Sequence, residues 1–171
     1  EALLNIKNPS RTSICILADK EEIGSMGNTG MYSRNFENFI NSIFDKMGVN
    51  KVGLMDKVFC NSRMLSADVT GAYDPNFVSV FEKNNESYIG KGISVIKYTG
   101  SASKGGASDA NAEYVGFIRG IFENNDINYQ ISEMGRIGEG GGGTIAYILA
   151  DKGIDAFTIW SYKQIWCLYG I

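Results

Sequence analysis

Three acidic residues follow a short apolar segment near the start of the chain. Ser13–Ala18 carries almost only apolar side chains, and Asp19, Glu21 and Glu22 come directly after it. An apolar run of this length predicts a β-strand that is buried on both faces, as in parallel sheets. Open α/β sheets bind ligands beyond the carboxyl ends of their strands. Carboxylates at that place can bind a divalent cation or accept a proton. The alternative is that the three acidic residues lie in an exposed loop and have no such role.

A further carboxylate, Asp68, lies in a Ser-Ala-Asp-Val sequence. The segment Val58–Val69 around it is less regular and predicts a strand that runs into a loop. Metal-assisted chemistry needs one group to hold the ion and another to take a proton from bound water. Asp68 could therefore complement Glu21 and Glu22. Its alternative role is a turn or helix cap.

Two glycine-rich loops also attract attention. Gly140–Gly143 suggests a phosphate-binding loop, but Thr144 follows where a P-loop has lysine, so nucleotide binding is the weaker interpretation. Close passage of the backbone past a strand or a substrate explains these glycines better. The loop over 101–111, which contains Lys104, could hold substrate at a helix amino terminus or be an ordinary connection.

The composition narrows the chemistry. The 171 residues include no histidine, which leaves carboxylates, lysines or a metal to act without a Ser–His or Cys–His system. The 16 basic and 19 acidic residues form no long run of one sign, which argues against nucleic acid as a partner. No apolar stretch reaches the roughly 20 residues of a membrane span. Three widely spaced cysteines favour reduced thiols and a cytoplasmic protein.

Strands that alternate with helices predict a three-layer αβα sandwich around a mostly parallel or mixed sheet. A helix is predicted over Asn35–Met47, with Ser33 as its cap and Gly48 as its stop, and another after a cap at Ser108. Further predicted elements are strands over 93–98, 129–132 and 154–159, a turn over 74–76 and a helix over 144–152. Five helical phenylalanines are expected in the core rather than in a ligand site, namely Phe36, Phe39, Phe44, Phe117 and Phe122.

Four stretches follow one another in a recognisable order. They are Asp19-Lys20-Glu21-Glu22-Ile23-Gly24-Ser25, Ser66-Ala67-Asp68 with Asp74-Pro75-Asn76, Lys97-Tyr98-Thr99-Gly100-Ser101 with Ser108-Asp109-Ala110-Asn111-Ala112-Glu113, and Gly140-Gly141-Gly142-Gly143-Thr144-Ile145-Ala146. Through them the chain resembles the aspartyl aminopeptidase family of zinc metallopeptidases. Four ordered matches are far more specific than any one alone.

The resemblance implies two zinc ions per complete site, with manganese or cobalt as other possible divalent ions. It gives Glu21 the role of general base, makes Glu22 a ligand of one metal and makes Asp68 a ligand of the other. The implied substrates are peptides that lose an amino-terminal, often acidic, residue. Lys97 or Lys104 would suit an acidic substrate side chain.

The same resemblance implies ligands that this sequence lacks. Members of the family complete the site with a bridging aspartate and a histidine from upstream and another histidine from downstream. We therefore expect an incomplete catalytic domain over residues 1–157, followed by a divergent, truncated or frame-shifted tail over 158–171. The isolated chain is expected to be inactive, while full-length members form homo-oligomers. The alternative is a degenerate relative that serves as a structural or interaction module.

Overall fold

The structure is a computed structural model that describes residues 2–49, 51–100 and 110–162. The chain forms two compact units, Glu1–Phe39 and Ile40–Ile171. The first contains the acidic segment, and the second contains the strands of the sheet. Within the described ranges, no helix combines the length and the apolar character needed to cross a membrane.

Four α-helices and four strands make up the regular structure of the described residues. The helices are α1 (Asn35–Lys46), α2 (Leu54–Cys60), α3 (Ala112–Asn124) and α4 (Ala146–Ala150), and the strands are β1 (Arg63–Thr70), β2 (Ile93–Tyr98), β3 (Tyr129–Glu133) and β4 (Asp155–Tyr162). One short 3-10 turn, Glu21–Ile23, carries the acidic pair.

Local hydrogen bonds explain where two of the helices begin. At α1, the backbone N–H of Asn35 donates to the predicted cap, Ser33 Oγ, over 3.3 Å. At α3, the Asn111 side chain accepts from the backbone N–H groups of Glu113 and Tyr114. The cap of α3 is therefore Asn111 rather than Ser108, which lies outside the described residues. An asparagine cap satisfies two amides that the helix itself leaves unpaired.

The four strands form one mixed sheet in the order β1-β4-β2-β3. β1 runs parallel to β4 and β2 runs parallel to β3, whereas β2 and β4 are antiparallel. This confirms the α/β class and the mixed sheet. It also places the carboxyl ends of β1 and β4 at one end of the sheet and those of β2 and β3 at the opposite end.

Helices lie on both faces of this sheet. Phe157 of β4 packs with Val95 and with Tyr114 and Ile118 of α3 in the main buried cluster. Successive residues of a strand point to opposite faces, so Thr158 faces away from α3. Thr158 Oγ1 lies 3.4 Å from Thr144 Oγ1, just before α4. The sheet is thus enclosed between α3 and α4, as in a three-layer sandwich.

Two of the strand predictions are wrong. Ser13–Ala18 is exposed and has no regular secondary structure, with Leu17 at 93% exposure. A strand needs a neighbour for its backbone groups, and the described pairing here is one bridge from Asp19 to Gly30. The segment Val58–Val69 contains the end of α2 followed by β1, not a strand followed by a loop.

The predicted core is only partly confirmed. Phe122 is 7% exposed, but Phe39 and Phe117 are 51% and 49% exposed. Helical periodicity marks one face of a helix without showing how much of that face another element covers.

The last strand of the described residues, β4, continues through residues 158–162. The division at residue 157 stays a prediction, and residues 163–171 lie outside the described residues.

Tyr114 should make stability depend on alkaline pH. Burial raises the pKa of its phenol above 10.0, Asp155 adds to the rise and Arg63 opposes it. The raised pKa favours the protonated phenol in the fold, so this contribution is present below pH 10 and is lost as pH rises through the folded-state value. We expect the free energy of unfolding in urea to fall as pH rises above about 10. Tyr114→Phe should reduce that fall. An equal dependence on pH in the unchanged chain and in Tyr114→Phe would contradict the assignment.

Candidate functional site

Glu21 and Glu22 lie in a tight 3-10 turn rather than at the end of a strand. Lys20 before the turn and Gly24 after it both adopt left-handed conformations, with φ of 60° and 97°. The N–H of Gly24 donates to the carbonyl of Glu21 over 3.1 Å, and the N–H of Ser25 donates to that of Lys20 over 2.8 Å. The turn leaves Glu22 exposed and Glu21 half-buried. Local backbone geometry therefore fixes the direction in which the side chains of Glu21 and Glu22 project from the backbone.

The loop that follows the turn closes back on Asp19. The Thr29 hydroxyl donates to the Asp19 carboxylate over 2.5 Å, and Asp19 forms a backbone bridge with Gly30. A Cβ added at Gly30 would lie 2.1 Å from the carbonyl oxygen of Ser25. Only glycine fits this approach of backbone to backbone. Sequence reasoning missed the contact between Asp19 and Thr29 because no local pattern links residues this far apart.

The first unit also contains an open pocket of about 310 Å³. Its lining is mainly apolar, with Asp19 and Thr29 among its polar groups; it comprises Ile14, Cys15, Ile16, Leu17, Ala18, Asp19, Thr29, Gly30, Met31, Ser33, Asn35, Phe36 and Phe39. Neither Glu21 nor Glu22 lines it. The pocket thus lies beside the acidic turn without including the two carboxylates.

Asp68 lies in the second unit, near the carboxyl end of β1. It is half-buried, and its Oδ1 accepts the backbone N–H of Val69 over 2.7 Å. In the parallel pairing Asp68 is opposite Trp160 of β4, so both residues belong to the sheet face that α4 covers. Asp68 is therefore held by the sheet and forms neither a turn nor a helix cap, the alternative roles that the sequence left open.

The two predicted substrate lysines differ in what the structure says of them. Lys97 is half-buried in β2, and β4 lies between β2 and β1. Two strand spacings amount to roughly 10 Å. The carboxyl end of β2 also lies at the opposite end of the sheet from that of β1. The sheet therefore does not bring Lys97 beside Asp68. Lys104 lies outside the described residues.

The four glycines at 140–143 pass close to other backbone segments, as the sequence predicted. A Cβ at Gly140 would lie 2.5 Å from the carbonyl oxygen of Val80. The N–H of Gly100 donates to the carbonyl of Gly142 over 2.5 Å. These contacts account for the glycines structurally and give no support to a phosphate-binding loop.

The donor groups among the described residues do not by themselves complete a metal site. In the part that the structure describes, no cluster of three or more His, Cys, Asp or Glu residues could hold a metal ion. The whole sequence has no histidine, the residue that most catalytic zinc sites use. Carboxylates alone favour harder ions such as magnesium or manganese. A zinc site therefore requires donors beyond Glu21, Glu22 and Asp68.

Comparison with known families resolves what kind of protein contains these carboxylates. A family model described as "Aminopeptidase I zinc metalloprotease (M18)" matches residues 1–160. The chain belongs to the M18 family. The M18 match includes both the acidic turn and β1, and it confirms the resemblance that the four sequence stretches indicated.

M18 proteins of bacteria are similar to the chain in sequence and in fold. A probable M18 family aminopeptidase 1 of Clostridium acetobutylicum is 49% identical over 154 residues, which cover 90% of this chain and 33% of that protein. The crystal structure of aminopeptidase I from the same organism gives a TM-score of 0.81 at 46% identity, over 94% of this chain and 34% of that one. The M18 structure from Thermotoga maritima gives 0.77 at 34% identity, over 85% and 32%.

These M18 matches also define how much of a relative the chain represents. The chain spans about a third of the length of the relatives that it matches. The matches cover 85–94% of this chain, and about two thirds of each relative lies outside the matched region.

Proposed function

We propose that the chain provides the catalytic carboxylates of an M18 aminopeptidase that removes an amino-terminal, often acidic, residue from peptides. The observation that supports this most is the family match over residues 1–160, because it includes Glu21, Glu22 and Asp68 together. Hydrolysis by metal-bound water needs no serine, cysteine or histidine nucleophile. The proposal is therefore consistent with a chain that has no histidine.

Each carboxylate has a distinct proposed role. Glu21 accepts a proton as general base, Glu22 is a ligand of one zinc ion and Asp68 is a ligand of the other. When bound, the zinc pair supplies Lewis acidity for the scissile carbonyl and for water. Glu21 of the first unit and Asp68 of the second are each half-buried. Lys97 or Lys104 is proposed to contact an acidic substrate side chain.

We also propose that the isolated chain is inactive. Three carboxylates without histidine give a weak and unselective zinc site, and the described residues contain no three-ligand cluster. The competing proposal is a degenerate relative that acts only as a structural or interaction module. A cytoplasmic location and homo-oligomers of the full-length protein stay predictions.

Zinc binding by the isolated chain tests the incomplete site. We expect calorimetry to show zinc binding with a Kd weaker than about 1 µM, since complete structural zinc sites bind several kcal/mol more tightly. Hydrolysis of an aspartyl peptide should stay at the level of the buffer with zinc alone. Two tightly held zinc ions, or measurable aminopeptidase activity, would contradict the proposed inactivity.

A chimera tests the function itself. The part of this chain that aligns with the Clostridium acetobutylicum protein over 154 residues would replace the matched stretch of that protein. We expect the chimera to bind two zinc ions per chain and to hydrolyse amino-terminal residues from peptides. A folded chimera that binds zinc but hydrolyses no peptide would favour the degenerate module.

A further inference from the structure

The loop over residues 24–33 folds back against the backbone of the acidic turn. The N–H of Ser25 donates to the carbonyl of Lys20 over 2.8 Å, and the N–H of Tyr32 donates to the carbonyl of Ser25 over 3.2 Å. Ser25 is 5% exposed, so the start of the loop is enclosed. The loop and the turn that contains Glu21 therefore form one hydrogen-bonded structure.

The conformation of the turn is not one that its own residues favour. Lys20 and Ser25 both have a Cβ atom but adopt φ values of 60° and 57°, in the left-handed region that is unfavourable for such residues. The turn itself comprises only Glu21–Ile23, and a helix of this length is not stable without contacts outside it. The direction of Glu21 therefore depends on contacts that hold the ends of the turn.

Thr29 provides such a contact through Asp19. Its hydroxyl donates to the Asp19 carboxylate over 2.5 Å, and a backbone bridge joins Asp19 to Gly30. Only Lys20 separates Asp19 from Glu21. A hydrogen bond to a charged acceptor is stronger than one between neutral groups. The bond from Thr29 therefore restrains the backbone immediately before the turn.

The loop around Thr29 is itself attached to helix α1. The side-chain amide of Asn35, the first residue of α1, donates to the carbonyl of Asn28. Asn28 directly precedes Thr29, so this bond fixes the backbone from which the Thr29 side chain projects. A continuous series of contacts thus leads from the start of α1 through Thr29 and Asp19 to the acidic turn.

We propose that Thr29 is a positioning residue for Glu21. Its hydroxyl holds Asp19, Asp19 holds the start of the turn, and the turn fixes the direction of the Glu21 side chain. A general base acts only within hydrogen-bond distance of the proton that it takes, and a displacement of about 1 Å can lower the rate strongly. Thr29 therefore contributes to kcat without contact with the substrate. This inference rests on the proposed role of Glu21 as general base.

Amide hydrogen exchange in the 171-residue chain tests whether Thr29 holds the turn. Thr29→Val keeps the size and branching of the side chain but removes its hydroxyl. We expect the amides of Gly24 and Ser25, which close the turn, to exchange roughly 3- to 10-fold faster in this variant, the range for loss of one hydrogen bond. Thr29→Ser keeps the hydroxyl, and exchange in it should match that in the unchanged chain.

Thr12→Val provides the matched control. Thr12 is another exposed threonine of the first unit, and its replacement should leave the exchange of the Gly24 and Ser25 amides unchanged. Circular dichroism of each variant would confirm that the fold is retained. Equal exchange in Thr29→Val and in the unchanged chain, or equal acceleration by Thr12→Val, would overturn the role of Thr29.

The active chimera tests whether Thr29 acts through Glu21. We expect Thr29→Val to lower kcat roughly tenfold, with KM and zinc content unchanged, and Thr29→Ser to retain most of the activity. In a chimera that already carries Glu21→Gln, Thr29→Val should not lower the residual kcat further, because the group that Thr29 positions is no longer a base. An unchanged kcat, or an equal loss in both backgrounds, would overturn the proposal.

Failure of this proposal differs from failure of the proposed function. A folded chimera that binds zinc but hydrolyses no peptide would contradict the aminopeptidase activity and, with it, the contribution of Thr29 to kcat. An active chimera in which Thr29→Val changes neither kcat nor the exchange of the turn amides would contradict the role of Thr29 alone.

Discussion

Replacement of Glu21 by Gln in the active chimera is expected to lower kcat roughly 100- to 10,000-fold, the usual contribution of a general base. Glutamine keeps the size of the side chain and its hydrogen-bonding oxygen but cannot accept the proton. The 3-10 turn around Glu21 depends on backbone hydrogen bonds, so the substitution should leave the turn intact. Measurement of kcat together with zinc content by mass spectrometry would check this result.

Glu22→Gln and Asp68→Asn are the matched comparisons for Glu21→Gln. We expect both to lower zinc affinity by more than the roughly 10- to 100-fold that loss of an outer-shell partner costs. Excess zinc should therefore restore part of the activity of these two variants but none in Glu21→Gln. If Glu21→Gln loses zinc instead, Glu21 is a ligand and its role as general base is wrong.

Phe157→Ala should cause the largest loss of stability among single core substitutions. Phe157 is 1% exposed, and its ring packs against Tyr114 at a centroid distance of 5.7 Å. Removal of a buried phenylalanine side chain costs about 3–5 kcal/mol through lost burial and the cavity that remains. Chemical denaturation monitored by circular dichroism would measure the difference.

Phe117→Ala provides the control for this prediction. The chemical change is the same, but Phe117 is 49% exposed. We expect it to cost less than about 1.5 kcal/mol, because its ring is only half removed from water. Equal losses in the two variants would mean that the isolated chain does not bury Phe157 as the fold requires.

Most regular elements could be predicted from local patterns. α1, α3, β2 and β3 follow periodicity and capping signals contained within a few residues, and the structure confirms them within small shifts of their ends. The failure at Ser13–Ala18 has a clear physical cause. The apolar run Ser13–Ala18 has the composition of a buried strand, but a strand exists only where another strand pairs with it.

The candidate site was less predictable than the fold. The sequence drew attention to Glu21 and Glu22, but it could not show that they lie in a 3-10 turn or that this turn and Asp68 belong to different compact units. It also gave no sign that β2 is antiparallel to β4. This direction moves Lys97 away from the end of the sheet that contains the carboxyl end of β1. Strand direction depends on long-range pairing, and a single sequence contains no local signal for it.

The pairing of β1 with β4 has a consequence for synthesis of the chain on the ribosome. Arg63 pairs with Asp155, so β1 leaves the ribosome well before its partner is made. β2, α3 and β3 emerge in between, and the central position of β4 remains empty until the end of that interval. Such distant contacts slow folding and prolong the exposure of unpaired strands. The nascent chain should therefore depend on chaperones most strongly just before β4 emerges.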